Sequence, residues 1–364
     1  MTAYTNARIF TGKEWIENGT VVCAAGRIVS VGTGVIPPNS ELLDCKGKWL
    51  IPALLDLQIY GLGGKLLSAY PEADSLRVLA AENKKAGVVS CLATIATQPL
   101  DVIYKSIKAI KDYWEEGGTG ILGMHLEGPF LNPVKRGAHK SEWIHSPGEK
   151  EVADLLEAGR DIIKVVTVAP ELCPPSILRQ FTDAGIRLSA GHCNAGYETA
   201  MRFSGLGIKL VTHLFNAMSP LHHRDTGLPG AVFQDNHLRA SIIPDGIHVS
   251  FSALAIAKKQ MGERLFYITD SVTETNIGPY QHQLNNDHYC TKDGTLSGSA
   301  ITLLQGVKNG VEKAGISLEE SIRMASLYPA QVMAIDREFG TIEEGKSSAM
   351  LLVTNQLELV SSEW

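Results

Sequence analysis

The chain has 364 residues, 44% of them hydrophobic and 20% charged, with a formal net charge of -6. That size fits one large domain, or a large domain with a small companion, in a soluble globular protein. The acidic balance argues against nucleic acid or an anionic membrane surface as a partner.

No window approaches the roughly 18 uninterrupted apolar residues of a membrane span. The opening "MTAYTNARIFTGKEW" also lacks the basic-then-apolar build of a secretory signal. Six cysteines (Cys23, Cys45, Cys91, Cys173, Cys193, Cys290) are scattered without a CxxC pair. They are expected as reduced, buried thiols of a cytoplasmic protein, not as a disulfide framework or a structural zinc knuckle.

Residues 1–50 read as all-β. "ARIFTG", "TVVCAAGRIVSVG" and "SELLDCKGKWLI" are short runs rich in β-branched residues and broken by Gly and Asn. From Leu50 strands and helices alternate. Strands are expected at "LIPALLDLQIY", "VVSCLATIAT", "ILGMHLEG", "IIKVVTVAP", "IRLSAGH", "IKLVTHLF", "LRASIIPDG" and "RLFYITD". Amphipathic stretches lie between them, such as Glu72–Ala86, closed by Gly87, and Pro99–Trp114, closed by Gly117-Gly118. Ser317 and Glu320 form a capping-box pattern ahead of a helix with Leu318, Ile322 and Ala325 on its apolar face. The last run, "GTIEEGKSSAMLLVTNQLEL", returns to β character.

Near-continuous apolar strands alternating with helices point to a parallel sheet covered on its outer face. Eight of them favour a closed (β/α)8 barrel of the TIM type over an open doubly wound sheet. Such a barrel needs roughly 250 residues, which residues 51–337 supply. Residues 1–50 and 338–364 are expected to pair as one small β-sandwich domain.

The ends of these strands carry the chemistry. The third ends at Glu127, the fifth at His192, the sixth near His213 and the eighth at Asp270. In an eight-fold α/β barrel the strand ends converge on the face where active sites are built. One carboxylate and two imidazoles there make a three-ligand site with an open position, as in catalytic zinc centres. Asp270 would stand beside such a metal as a proton acceptor and donor. Each residue has a plainer explanation alone: a satisfied histidine, a helix-capping Glu127, an N-cap Asp270. Their coincidence at strand ends favours the metal site. His125 shares a strand face with Glu127, one layer deeper, and the tandem His222-His223 reads as a solvated loop pair.

With these residues in place, the chain resembles the amidohydrolase superfamily, and within it the N-acetylglucosamine-6-phosphate deacetylases. The resemblance runs nearly end to end through "HLEGPFLNPVKRGAH", "SAGHCNAGYETA", "VTHLFNAMSPLHHRDTGLPGAVF", "IPDGIHV", "YITDS", "LSGSAITLLQGVKNGV" and "MASLYPAQVMAIDREFGTIEEGK". It implies Glu127, His192 and His213 as ligands of one divalent metal, zinc first, with iron or manganese as options. It also implies Asp270 as general base and acid and His139 as the group that polarises the acetyl carbonyl. Substrate contacts would come from Ala138, Asn216, Ala217, Arg224, His248 and the turn Leu296, Ser297 and Gly298. Part of the phosphate site can come from the partner in such homodimers. The implied reaction turns N-acetylglucosamine 6-phosphate into glucosamine 6-phosphate and acetate.

Three positions depart from the resemblance. Gln58-Ile59-Tyr60 replaces the His-x-His that many barrel amidohydrolases use for a second metal, so one tightly bound ion is expected. Pro52-Ala53 replaces Pro-Gly, and Cys193 stands where Ser is common, a thiol placed to tune the metal or to oxidise. The rival readings are a related enzyme acting on another N-acetylated sugar phosphate or amide, and a catalytically silent sugar-phosphate-binding barrel.

Overall fold

The structure is a computed structural model and describes residues 1–363. Eight parallel strands, Leu54–Ile59, Val88–Ile95, Ile121–Glu127, Ile163–Val168, Arg187–Ala190, Ile208–Val211, Arg239–Ile242 and Leu265–Tyr267, are hydrogen-bonded in sequence order. They are buried along nearly their whole lengths because helices cover the outside and side chains fill the inside. The ring then closes. Ile59 bridges Ser271, Tyr60 N donates to Ser271 O at 2.9 Å and Asp270 N donates to Gln58 O at 2.9 Å. An open sheet would leave those groups unpaired, so the barrel expectation holds.

Helices Ala73–Lys85 and Leu100–Glu115 fall where the amphipathic pattern placed them, the second burying Ile103, Ile107, Ile110 and Tyr113. At the later helix, Leu318–Ala325, Ser317 Oγ accepts from Glu320 N. The reciprocal half of the expected capping box is missing, because Glu320 turns its carboxylate to Lys258, Arg323 and Tyr328. An ion pair with two cations outcompetes a bond back to the cap.

Strands Thr2–Phe10, Trp15–Ala24 and Arg27–Gly32 form an antiparallel meander. Glu41–Asp44 runs parallel to one half of the first strand, and Trp49–Pro52 to the other. Met350–Val353 and Leu359–Glu363 extend the same seven-stranded sheet. Both terminal regions therefore share one sheet, with an apolar cluster that includes Ile9, Val21, Leu50, Ile342 and Met350.

Barrel closure also has a side-chain staple that the sequence reading missed. Asp56 is wholly buried in the first strand. Its carboxylate accepts from Thr269 Oγ1 at 2.5 Å, Thr269 N at 3.2 Å and Gln58 N at 3.2 Å. Burial still dominates these bonds and raises the acid from 3.8 to about 6. The fold thus favours the neutral acid. Its contribution is complete below about pH 4 and is lost as the pH rises through about 6, a difference of about 3 kcal/mol. An Asp56→Asn protein should lose that part of the pH dependence. Thermal denaturation of both proteins from about pH 4 to pH 7 should show the wild type falling relative to the variant.

Candidate active site

The barrel delivers its polar side chains by ending its strands abruptly. Glu127 is the last residue of the third strand and is 1% exposed. His192 and His213 lie two residues past the fifth and sixth strands, and Asp270 three past the eighth. All three adopt left-handed backbone, with φ of +47°, +34° and +53°. Non-glycine residues pay about 1–3 kcal/mol for such conformations, which cluster at functional sites. Here the turn swings each side chain off the ladder and into the mouth.

Glu127 Oε1 lies 3.0 Å from His213 Nε2 and 3.4 Å from His192 Nε2, and the two imidazole nitrogens are 3.1 Å apart. Ligands about 2.1 Å from a tetrahedral zinc are separated by about 3.4 Å along the polyhedron edge, so the triangle matches one face of that polyhedron. His192 Nδ1 donates to Lys135 O at 2.8 Å, which leaves Nε2 with its lone pair facing inward. His213 Nδ1 and Asp270 Oδ1 are buried without a protein partner. Burial alone would raise Glu127. The imidazoles of His192, His139 and His213 around it outweigh that burial and hold it well below the usual carboxylate range. These three side chains fit a divalent cation.

A second grouping of potential ligand atoms, all within 4.8 Å of one another, joins Glu127 and His192 to His139 in place of His213. The tautomer decides between them. His139 Nδ1 accepts from Thr97 N at 3.2 Å, a group that can only donate. Burial, and then the neighbouring His192, pushes His139 down to about 4, so the ring is neutral and its proton sits on Nε2. That Nε2, 3.3 Å from Glu127 Oε2, is a hydrogen-bond donor with no lone pair for a metal.

Gln58 and Tyr60, the pair that replaces His-x-His, both turn their side chains to Glu127. Gln58 Nε2 donates to Glu127 Oε1 at 3.0 Å and the Tyr60 hydroxyl donates to Glu127 Oε2. Burial, then the Glu127 and Asp270 charges, lifts the Tyr60 phenol well above its ordinary value and keeps its proton in place. Two neutral dipoles stand in for a cation. Asp270 is pushed far above the carboxylate range by burial and then by Glu127, so it readily takes a proton. Cys193 does not fulfil the reactive role expected for it: it is fully buried and burial drives its thiol well upward.

The site opens into a cleft of about 170 Å³ lined by apolar walls and a few convergent polar groups, as small-molecule sites are. Of the residues expected to take part, Glu127, Ala138, His139, His192, His213, Asn216, Ala217, His248, Asp270 and the turn Leu296, Ser297 and Gly298 all line it. Arg224 does not. It sits on an exposed segment with Leu221, His222 and His223, while Asp225 turns its carboxylate to Tyr197 N and Gly227 N. His248 lines the cleft with both nitrogens occupied, Nδ1 by Asp245 Oδ2 and Nε2 by Ser297 O, each at 2.6 Å. It therefore braces the Leu296–Gly298 turn.

Other lining residues were missed by the sequence reading. Tyr280 donates to Thr97 O at 2.6 Å and His282 meets Ser297 Oγ at 3.1 Å. His282 opens a three-stranded antiparallel ribbon, His282–Asn285, His288–Thr291 and Leu296–Ser299, inserted after the eighth strand. Its outward side chains are exposed and no apolar run announces it.

A closed (β/α)8 barrel with a carboxylate, two imidazoles and a proton acceptor at its mouth defines a metal-assisted hydrolase architecture. The chain belongs to the amidohydrolase family, whose model matches residues 49–362. Among curated proteins it is 32% identical to the N-acetylglucosamine-6-phosphate deacetylase of Haemophilus influenzae, over 99% of this chain and 95% of that one. An N-acetylgalactosamine-6-phosphate deacetylase of Escherichia coli O157:H7 is 29% identical over 97% of this chain and 95% of that one. The crystal structure of N-acetylglucosamine-6-phosphate deacetylase from Pasteurella multocida superposes with a TM-score of 0.94 at 30% identity, covering 100% and 97% of the two chains.

Proposed function

We propose that this protein hydrolyses the acetamide of N-acetylglucosamine 6-phosphate, releasing glucosamine 6-phosphate and acetate. The observation that carries this reading is the Glu127–His192–His213 triangle, with a protonated His139 Nε2 on one side and the unpartnered Asp270 Oδ1 in the same cleft. Glu127, His192 and His213 would hold one divalent ion, with zinc favoured by the N/O donor set. When bound, that ion supplies Lewis acidity to the attacking water and the acetyl oxygen.

The chain's own groups complete the reaction. His139 Nε2–H donates to the acetyl oxygen as negative charge gathers on it. Asp270 takes a proton from water as the oxygen–carbon bond forms. It then returns that proton to the nitrogen as the carbon–nitrogen bond breaks, which balances the reaction without another acid. Tyr60 and Gln58 hold Glu127 in one orientation throughout.

The sugar would lie against Ala138, Asn216, Ala217 and the Leu296–Gly298 turn. Its phosphate would meet Arg224 of the partner subunit in a homodimer, since a guanidinium fork suits a phosphate dianion. The exposed position of Arg224 outside its own cleft supports this arrangement. Among the described residues no helix is long and apolar enough to cross a membrane, in keeping with a proposed place in the cytoplasm.

The deciding assay follows acetate release from N-acetylglucosamine 6-phosphate, with metal analysis on the same sample. Acetate release with about one ion per chain is the expected result. Preference for the galactosamine epimer would move the substrate to the related reading. Binding without acetate release would leave a silent barrel.

A further inference from the structure

Barrel interiors are normally filled by branched apolar side chains, yet a line of hydroxyls crosses this one directly beneath the mouth. His125, on the third strand, has Nδ1 3.0 Å from Leu57 O of the first and Nε2 2.7 Å from Thr167 Oγ1 of the fourth. Thr167 Oγ1 is 2.7 Å from Thr212 Oγ1, at the end of the sixth strand directly after Val211, and Thr212 Oγ1 is 2.6 Å from Ser189 Oγ on the fifth. A carbonyl can only accept, so the neutral His125 ring donates from Nδ1 and accepts at Nε2. Thr167 must then donate to His125, Thr212 to Thr167 and Ser189 to Thr212. One carbonyl sets the direction of the whole chain. Five strands are tied together by it.

Each proposed metal ligand is attached to this line. His125 precedes Glu127 by two residues, and Gly128 N donates to Thr167 O at 3.0 Å. Thr212 directly precedes His213. Gly191, directly before His192, is threaded between the two threonines: a Cβ there would lie 2.6 Å from Thr167 Cγ2 and 2.9 Å from Thr212 Cβ. Buried hydroxyls cost desolvation unless fully paired, and here every one is paired in a single consistent direction.

We infer that Thr167, Thr212, Ser189 and His125 are positioning residues that set the relative placement of Glu127, His192 and His213 and thereby the affinity for the cation. This rests on the reading of those three side chains as metal ligands. Thr167→Val keeps the shape of the side chain but leaves His125 Nε2 without a donor and Thr212 without its acceptor. Thr167→Ser keeps the hydroxyl.

The test measures zinc affinity by chelator competition and the visible absorption of the cobalt-loaded protein, for the wild type and both variants. Thr167→Val should weaken metal binding by roughly tenfold or more and alter the cobalt spectrum, while Thr167→Ser stays close to wild type. If Thr167→Val fails to fold, Thr212→Val severs the same chain and is read in the same way. Wild-type affinity and spectrum in the valine variant, even with a lower melting temperature, would overturn the inference alone. Failure of the wild type to bind metal at Glu127, His192 and His213 would overturn the ligand reading and this inference with it.

Discussion

An Asp270→Asn protein is expected to keep its metal and its fold while losing turnover by about 10³-fold, in the middle of the range for a positioned acid–base group. Asparagine matches the shape of aspartate but cannot take a proton from water or return one to the amine. The native acid is already costly, since burial and the nearby Glu127 charge push it far above its ordinary range. Removing it should therefore not lower the melting temperature. Metal content and kcat measured on one preparation separate the two roles. Turnover at the wild-type rate would rule Asp270 out as the proton carrier.

Glu127→Gln should fail in the opposite order, losing the metal first. The carboxylate is the only anion among the three proposed ligands, and its oxygens also face Gln58 Nε2, the Tyr60 hydroxyl and His139 Nε2. A glutamine side chain has one acceptor oxygen and an NH2 group. It would set donor against donor in a fully buried place, at about 1–3 kcal/mol per unsatisfied group. Loss of an outer hydrogen-bond partner alone weakens metal sites by about 10–100-fold, so loss of the anionic ligand should exceed a hundredfold. Metal retained after dialysis, together with kcat/KM at saturating metal, gives the comparison. A variant that retained a full complement of metal would show that another group holds the ion.

Much of this architecture is legible in the sequence because the barrel strands are buried on both faces. A strand in that position must be a continuous apolar run, and "VVSCLATI" or "IKVVTV" has no other economical use. The polar residues that stop such runs stood out for the same reason, which made Glu127, His192, His213 and Asp270 visible. The features that stayed hidden depend on partners far away in the chain. Asp56 gives no signal of its own in the sequence, because its partner Thr269 is brought beside it only across the closing seam. Thr97 and Tyr280 carry no motif, yet together they fix the His139 tautomer and the wall behind it.

The ribbon from His282 to Ser299 was missed because its strands are only 4 residues long each and carry little apolar content. Glu320 illustrates the converse case. Its spacing from Ser317 was a correct local signal, and a nearby lysine and arginine outbid the cap for its carboxylate. Arg224 was placed by resemblance, and within one chain the structure leaves it outside the cleft.

Anomalous diffraction from crystals grown with zinc, collected on both sides of the zinc absorption edge, tests the metal assignment most directly. One peak per chain is expected, about 2.0–2.2 Å from a Glu127 oxygen, His192 Nε2 and His213 Nε2, with His139 outside the coordination sphere. A peak ligated by His139 in place of His213, or none within reach of Glu127, would contradict it.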